Sequence, residues 1–89
     1  MKEQVFSVTV NNDLGLHARA AAVLVKAVSG YSSQVAIKYN NVEINGKSLI
    51  DIIGLAAGKG AVLEVKVSGE DAVKCSQELQ NTVNNNFGE

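Results

Sequence analysis

Proline and tryptophan are absent from this 89-residue chain, and cysteine, histidine and methionine each occur once. Aromatic side chains are also scarce, with only Phe6, Tyr31, Tyr39 and Phe87. A chain this short is marginally able to bury a core, so a single domain over 1–89 is expected. It must be held together by Val, Ile, Leu and Ala contacts, for which an apolar share of 46% is enough. The lone Cys75 excludes an intramolecular disulfide and any CxxC pair for metal or redox chemistry. No metal site and no cofactor are expected, and a reducing interior is the natural compartment. A net charge of −1 leaves no basic stripe for nucleic acid or an anionic membrane. No apolar run approaches the roughly twenty residues of a membrane span. Met1 to Val10 mixes polar with apolar residues, unlike a signal peptide. A soluble cytoplasmic protein is expected.

Hydrophobic patterning divides the chain into seven elements. Val5 to Val10 is β-branched and partly alternating, a first strand, and Asn11-Asn12-Asp13 marks the loop after it. From Ala18 the composition turns Ala-rich, with Ala21, Leu24, Val25 and Val28 at helical spacing. Gly30 is placed to close that helix in a left-handed conformation. Gln34–Tyr39 and Val42–Ile44 read as a hairpin around Asn40-Asn41. Ser48 can cap a brief helix running to about Leu55. After Gly58-Lys59-Gly60 comes a fourth strand, Ala61–Val67. Gly58-Lys59-Gly60 itself is too short for a P-loop and lacks a following Ser or Thr.

Ser68-Gly69-Glu70-Asp71 carries an S-x-x-D start signal for a last helix. That helix continues to about Asn84 and buries Ala72, Cys75, Leu79 and Val83. Cys75 on this face is a buried, inert thiol. The final residues are expected to fray. The order β-α-β-β-α-β-α suggests an α+β fold, with helices on one face of a mainly antiparallel sheet.

The one histidine stands where a loop meets the Ala-rich helix, in Gly15-Leu16-His17-Ala18-Arg19-Ala20. The first N–H groups of a helix lack internal partners, and the dipole adds about half a positive charge there. An anion at that end meets ready-made donors. Neutral imidazole is available near physiological pH and can attack a phosphoryl group. Gly15 lets the backbone bend close, and Arg19 can bring a guanidinium to phosphoryl oxygens. On the residues alone, a plainer reading stays ahead: a histidine that caps a helix beside a solvated arginine. Ser48 is likewise explained by capping alone.

Gly15-Leu16-His17-Ala18-Arg19, followed by small residues, resembles the active-site pattern of the HPr family. These are the histidine phosphocarriers of the bacterial sugar phosphotransferase system. The likeness extends to Asn45-Gly46-Lys47-Ser48-Leu49-Ile50 with Gly54-Leu55, to Ala57-Gly58-Lys59-Gly60, and to Ser68-Gly69-Glu70-Asp71-Ala72. It therefore covers nearly the whole chain in order and spacing.

The resemblance implies the HPr-like open-faced β-sandwich, a four-stranded antiparallel sheet with helices over one face. It implies a carrier rather than a free-standing enzyme, with a transient phosphohistidine on His17 at the δ nitrogen. Arg19 and the backbone amides of Ala18 and Arg19 would hold the phosphoryl group. The implied partners are enzyme I as donor and EIIA proteins as acceptors. Ser48 would be a regulatory phosphosite for an HPr kinase/phosphorylase, with a catabolite-control transcription factor as a further partner. A monomer is expected. One departure stands out, because Ala20 occupies the place where the family usually has proline. Restoring proline would stiffen the first turn and add about 0.4–1 kcal/mol if the Ala20 N–H is unused.

Leu49, Ile50, Ile52, Ile53 and Leu55 cannot all face the core of one short helix. Ile52 and Leu55 are the expected core pair. Leu49, Ile50 and Ile53, joined by Leu16 near the histidine, form an expected docking patch. A wholly buried segment is the competing view, which Asp51 opposes. Two other functions stay open: a regulatory binding module of the same fold, and the nitrogen-related branch, of which Asp13-Leu14-Gly15 is reminiscent.

Overall fold

The computed structural model describes residues 2–89. Strand β1 (Lys2–Thr9) leads to helix α1 (Ala18–Ser29), the hairpin β2 (Gln34–Tyr39) and β3 (Val42–Asn45), and short helix α2 (Leu49–Gly54). Strand β4 (Val62–Gly69), helix α3 (Ala72–Asn84) and a 3-10 turn at Asn86–Gly88 complete the chain. The sheet is antiparallel throughout, in the order β1-β4-β2-β3.

Strand alternation decides which face is covered. In β4, Leu63, Val65 and Val67 are buried while Val62, Glu64 and Lys66 are exposed. Register carries the pattern across the sheet, since Val65 lies opposite Phe6 on one side and Ile37 on the other. On the open face Ser7, Glu64, Lys38 and Glu43 line up across all four strands. Opposite charges facing each other in such a row favour the register. The helices meet the apolar face through stripes at helical spacing: Ala20, Ala21, Leu24 and Val28 from α1, and Ala72, Cys75, Leu79 and Val83 from α3. Cys75 is fully buried, and that burial pushes its thiol up, away from the reactive thiolate. Ala20 is also fully buried. A proline ring there must therefore find room in the core, which opposes the entropic gain.

Four local expectations are corrected. β1 begins at Lys2 and β4 runs on to Gly69, because pairing of Lys2 with Gly69 extends both strands past their apolar cores. Gly30 caps α1 with φ −77°, a right-handed conformation that needs no glycine. Ser68 is not the cap of α3, since it lies within β4 and pairs with Glu3. The cap position falls to Asp71, whose side chain caps nothing in its own helix. Finally, the last residues do not fray. Asn86 and Phe87 take consecutive left-handed conformations, φ 54° and 57°, which turn the Phe87 ring into the core at 3% exposure. The turn brings Glu89 back to the other end of the molecule's chain order, beside His17.

Asp71 spends its carboxylate across the fold. It accepts from the Ser32 N–H (2.8 Å), the Ser33 N–H (3.0 Å) and the Ser33 hydroxyl (2.5 Å), pinning the α1–β2 loop to the start of α3. The Ser33 hydroxyl foremost, then the Ser32 amide, hold its carboxyl at about 2, against an ordinary 3.8. Because the folded value lies below the unfolded one, the stabilisation is complete above about pH 4 and lost as pH falls toward 2. Asp71→Asn should therefore flatten the fall in unfolding free energy across that window in urea titrations. An unchanged acid slope would show that another carboxylate sets it.

Candidate functional site

The histidine sits where two loops are stitched together. Val10 and Ala61 are joined by the Val10 N–H donating to Ala61 O (2.8 Å), and the Gly60 N–H returns to Val10 O (2.7 Å). Further along, the Leu16 N–H donates to Ala57 O (2.9 Å), immediately before His17. Gly15 makes this approach possible. Its φ is +66°, and a Cβ there would lie 2.6 Å from Ala57 O and 2.7 Å from Gly58 Cα. Leu16 follows it into the core at 3% exposure. Leu16 is therefore removed from the expected docking patch: the backbone bond to Ala57 turns its side chain inward.

His17 is the N-cap of α1, with φ −71° and ψ 177°. Its Nδ1 accepts from the backbone N–H of Arg19 at 3.3 Å. With Nδ1 accepting, the neutral ring carries its proton on Nε2. That N–H donates to Glu89 Oε2, with Nε2 and Oε2 2.5 Å apart. The imidazole and the Glu89 carboxylate are each about a quarter exposed, 27% and 26%. Asn12 holds the other carboxylate oxygen, donating to Glu89 Oε1 at 3.1 Å and to Gly15 O at 2.8 Å. The His17 ring N–H first, and the Asn12 amide second, keep the Glu89 carboxyl below its usual range. Ala18 and Arg19 open α1 and are exposed.

Sequence reasoning missed Asn12 and Glu89. Asn12 looked like loop composition, and Glu89 is 72 residues from His17. The one usable signal was Phe87, an apolar ring in a polar tail that needs a core to enter.

The four strands and three helices are those of known phosphocarriers. Residues 5–85 match the family described as "PTS HPr component phosphorylation site". The chain belongs to the HPr family. Phosphocarrier protein HPr of Xylella fastidiosa is 41% identical over 81 residues, covering 91% of each chain. HPr of Neisseria meningitidis serogroup A is 37% identical over 83 residues, covering 93% of each. Among solved structures, HPr-C-His from Thermoanaerobacter tengcongensis superposes with a TM-score of 0.91 at 34% identity, covering 100% of this chain and 98% of that one. The fold and family resemblances drawn from the sequence are thus borne out: this is an HPr phosphocarrier of the phosphotransferase system. Among the described residues no helix is long and apolar enough to cross a membrane.

The stretch from Asn45 to Leu55 that resembles the family leads into and through α2, which packs on α1 and β3. Ser48 is its N-cap, with the Asp51 N–H donating to Oγ at 3.3 Å. Ile52 is fully buried and Leu55 packs partly buried against the core. Leu49, Ile50 and Ile53 remain exposed at 39%, 76% and 37%. A helix apolar on all sides meets solvent on one of them, as expected.

Proposed function

We propose that His17 Nδ1 accepts the phosphoryl group from phospho-enzyme I and passes it to EIIA proteins. The observation that supports this best is the Arg19 N–H aimed at Nδ1 from the first turn of α1. Nδ1 carries the lone pair of the neutral ring and is the nucleophile. The incoming group brings negative charge to the positive end of the α1 dipole. As the N–P bond forms, the Arg19 amide turns from Nδ1 to a phosphoryl oxygen, the Ala18 amide offers a second donor, and the Arg19 guanidinium adds charge-assisted bonds. No group needs to move deep in the fold, which suits a carrier that must hand its cargo on.

Leu49, Ile50 and Ile53 are the surface on which the relay partners dock in this reading. Ser48, at the edge of that surface, is the regulatory phosphosite for a kinase/phosphorylase. A phosphate there adds about −1.5 to −2 charges beside Asp51. It repels an acidic partner and attracts a basic one, such as a transcription factor bearing arginines. Ile50→Glu should raise the HPr concentration at half-maximal enzyme I phosphorylation roughly tenfold or more, since it desolvates a charge against an apolar surface. Ser48→Asp should have a smaller effect in the same direction. Wild-type kinetics from both folded variants would remove α2 from the docking surface.

The carrier reading is tested by onward transfer. Phosphorylated protein freed of enzyme I and mixed with a purified EIIA domain should lose its label as EIIA gains it. Label retained on this chain with every EIIA tried would point to a regulatory module instead.

A further inference from the structure

Asn12 lies outside every HPr motif in this chain, yet it is 3% exposed and bonded into the loop that carries His17. Burying a side-chain amide is costly unless its hydrogen bonds are made. The bond to Gly15 acts on more than one residue. The Gly15 carbonyl and the Leu16 N–H belong to a single planar peptide unit. The carbonyl accepts from Asn12 Nδ2 at 2.8 Å, and the N–H donates to Ala57 O at 2.9 Å. The plane is held at both ends. On the far side of His17, its own carbonyl accepts the first bond of α1, from the Ala21 N–H at 2.9 Å. His17 thus stands between a clamped peptide and a helix. Of these three ties, only the one from Asn12 comes from a side chain.

We propose that Asn12 is a positioning residue for phosphoryl transfer, latching the Gly15–Leu16 peptide plane and so fixing the approach of His17 Nδ1. The role rests on His17 being the acceptor. Gly15 makes a latch necessary, because glycine restrains its own dihedrals weakly and the peptide after it can swing at little cost. In transfer the Nδ1–P bond forms while the donor's bond to phosphorus breaks, its electron pair leaving with the donor. Nδ1 must be in line with that breaking bond, and a misplacement of about 1 Å can cost on the order of a hundredfold in rate. An unlatched plane moves the His17 backbone and leaves Nδ1 aligned for only part of the time. Docking is untouched, since the apolar patch lies on α2.

The latch can be read without any donor, by native-state hydrogen exchange. Asn12→Ala should speed exchange of the Leu16 N–H roughly tenfold or more relative to the Val10 N–H, which is bonded to Ala61 O in the same pair of loops. General destabilisation would speed both amides alike. Asn12→Ser, with a donor on a shorter side chain, should fall between wild type and Asn12→Ala. Well below its melting temperature, Asn12→Ala should lower the maximal phosphorylation rate by enzyme I about ten- to a hundredfold. The HPr concentration at half-maximal rate should not change. The second amide proton of Asn12 goes to Glu89 Oε1, so both measurements are repeated in a Glu89→Ala background. Asn12→Ala should have the same fold-effects there. Equal acceleration of the Leu16 and Val10 amides, an unchanged maximal rate, or effects that vanish in the Glu89→Ala background would overturn the proposal. If the wild type itself takes up no phosphoryl group, the acceptor reading fails, and the role in transfer with it. Exchange at Leu16 then still decides whether Asn12 latches the plane.

Discussion

His17→Ala should take up no phosphoryl group from phosphoenolpyruvate and enzyme I, yet remain folded. The loss is total because no other side chain of this chain is an imidazole, and the donors around the site cannot act as nucleophiles. The folding cost is small because His17 contributes to stability only as a cap and through a partly exposed contact to Glu89. Replacing a capping side chain by alanine costs about 0.5–2 kcal/mol, and a 3.3 Å bond in solvent belongs at the low end. In a domain of this size that is a fall in Tm of roughly 4–8 °C per kcal/mol. Variant and wild type should therefore share a circular dichroism spectrum and differ completely in label. Equal labelling of the variant would place the acceptor elsewhere.

Gly15→Ala should unfold the protein more easily by roughly 2–4 kcal/mol, combining left-handed strain with a steric clash. At φ +66° an L-residue is strained, and its methyl would lie 2.6 Å from Ala57 O and 2.7 Å from Gly58 Cα. Both are backbone atoms, so no side-chain rotation relieves the overlap. The two loops must part, which lengthens the Leu16–Ala57 bond that seats His17. Phosphorylation should slow along with the loss of stability. Gly54→Ala is the matched control. Gly54 lies in α2 with nothing within 4 Å of an added Cβ, so alanine should stabilise by about 0.5–1 kcal/mol. Equal chemical denaturation midpoints for Gly15→Ala and wild type would refute the steric account.

What the sequence disclosed and what it hid divide by range. Alternation in Gln34–Tyr39 and in the fourth strand, and the helical spacing from Ala18 to Val28, are properties of neighbours along the chain. They predicted the elements, and for the helices the buried side. The apolar excess of α2 was legible in the same way, and Ile50 and Ile53 do face solvent. The errors lie where a distant segment decides. Asp71 looked like the acid of a capping box, but Ser32 and Ser33, 39 and 38 residues away, claim its carboxylate. Leu16 looked exposed beside the histidine, but Ala57 across the loop draws it inward. The tail looked frayed by composition, because three asparagines and a glycine surround the one ring that anchors it. His17 and Arg19 were found because motif and helix start coincide locally. Asn12 and Glu89 required the fold.

On the proposed reading, the phosphoryl group rides on His17 Nδ1. Wild-type protein incubated with phosphoenolpyruvate and a cognate enzyme I should gain one phosphoryl group by intact mass. The group should be lost in acid, and phosphorus–nitrogen coupling in 15N-labelled protein should place it on Nδ1 of His17. An acid-stable group, a group on Nε2, or no mass gain with a competent enzyme I would rule out His17 Nδ1 as the carrier atom.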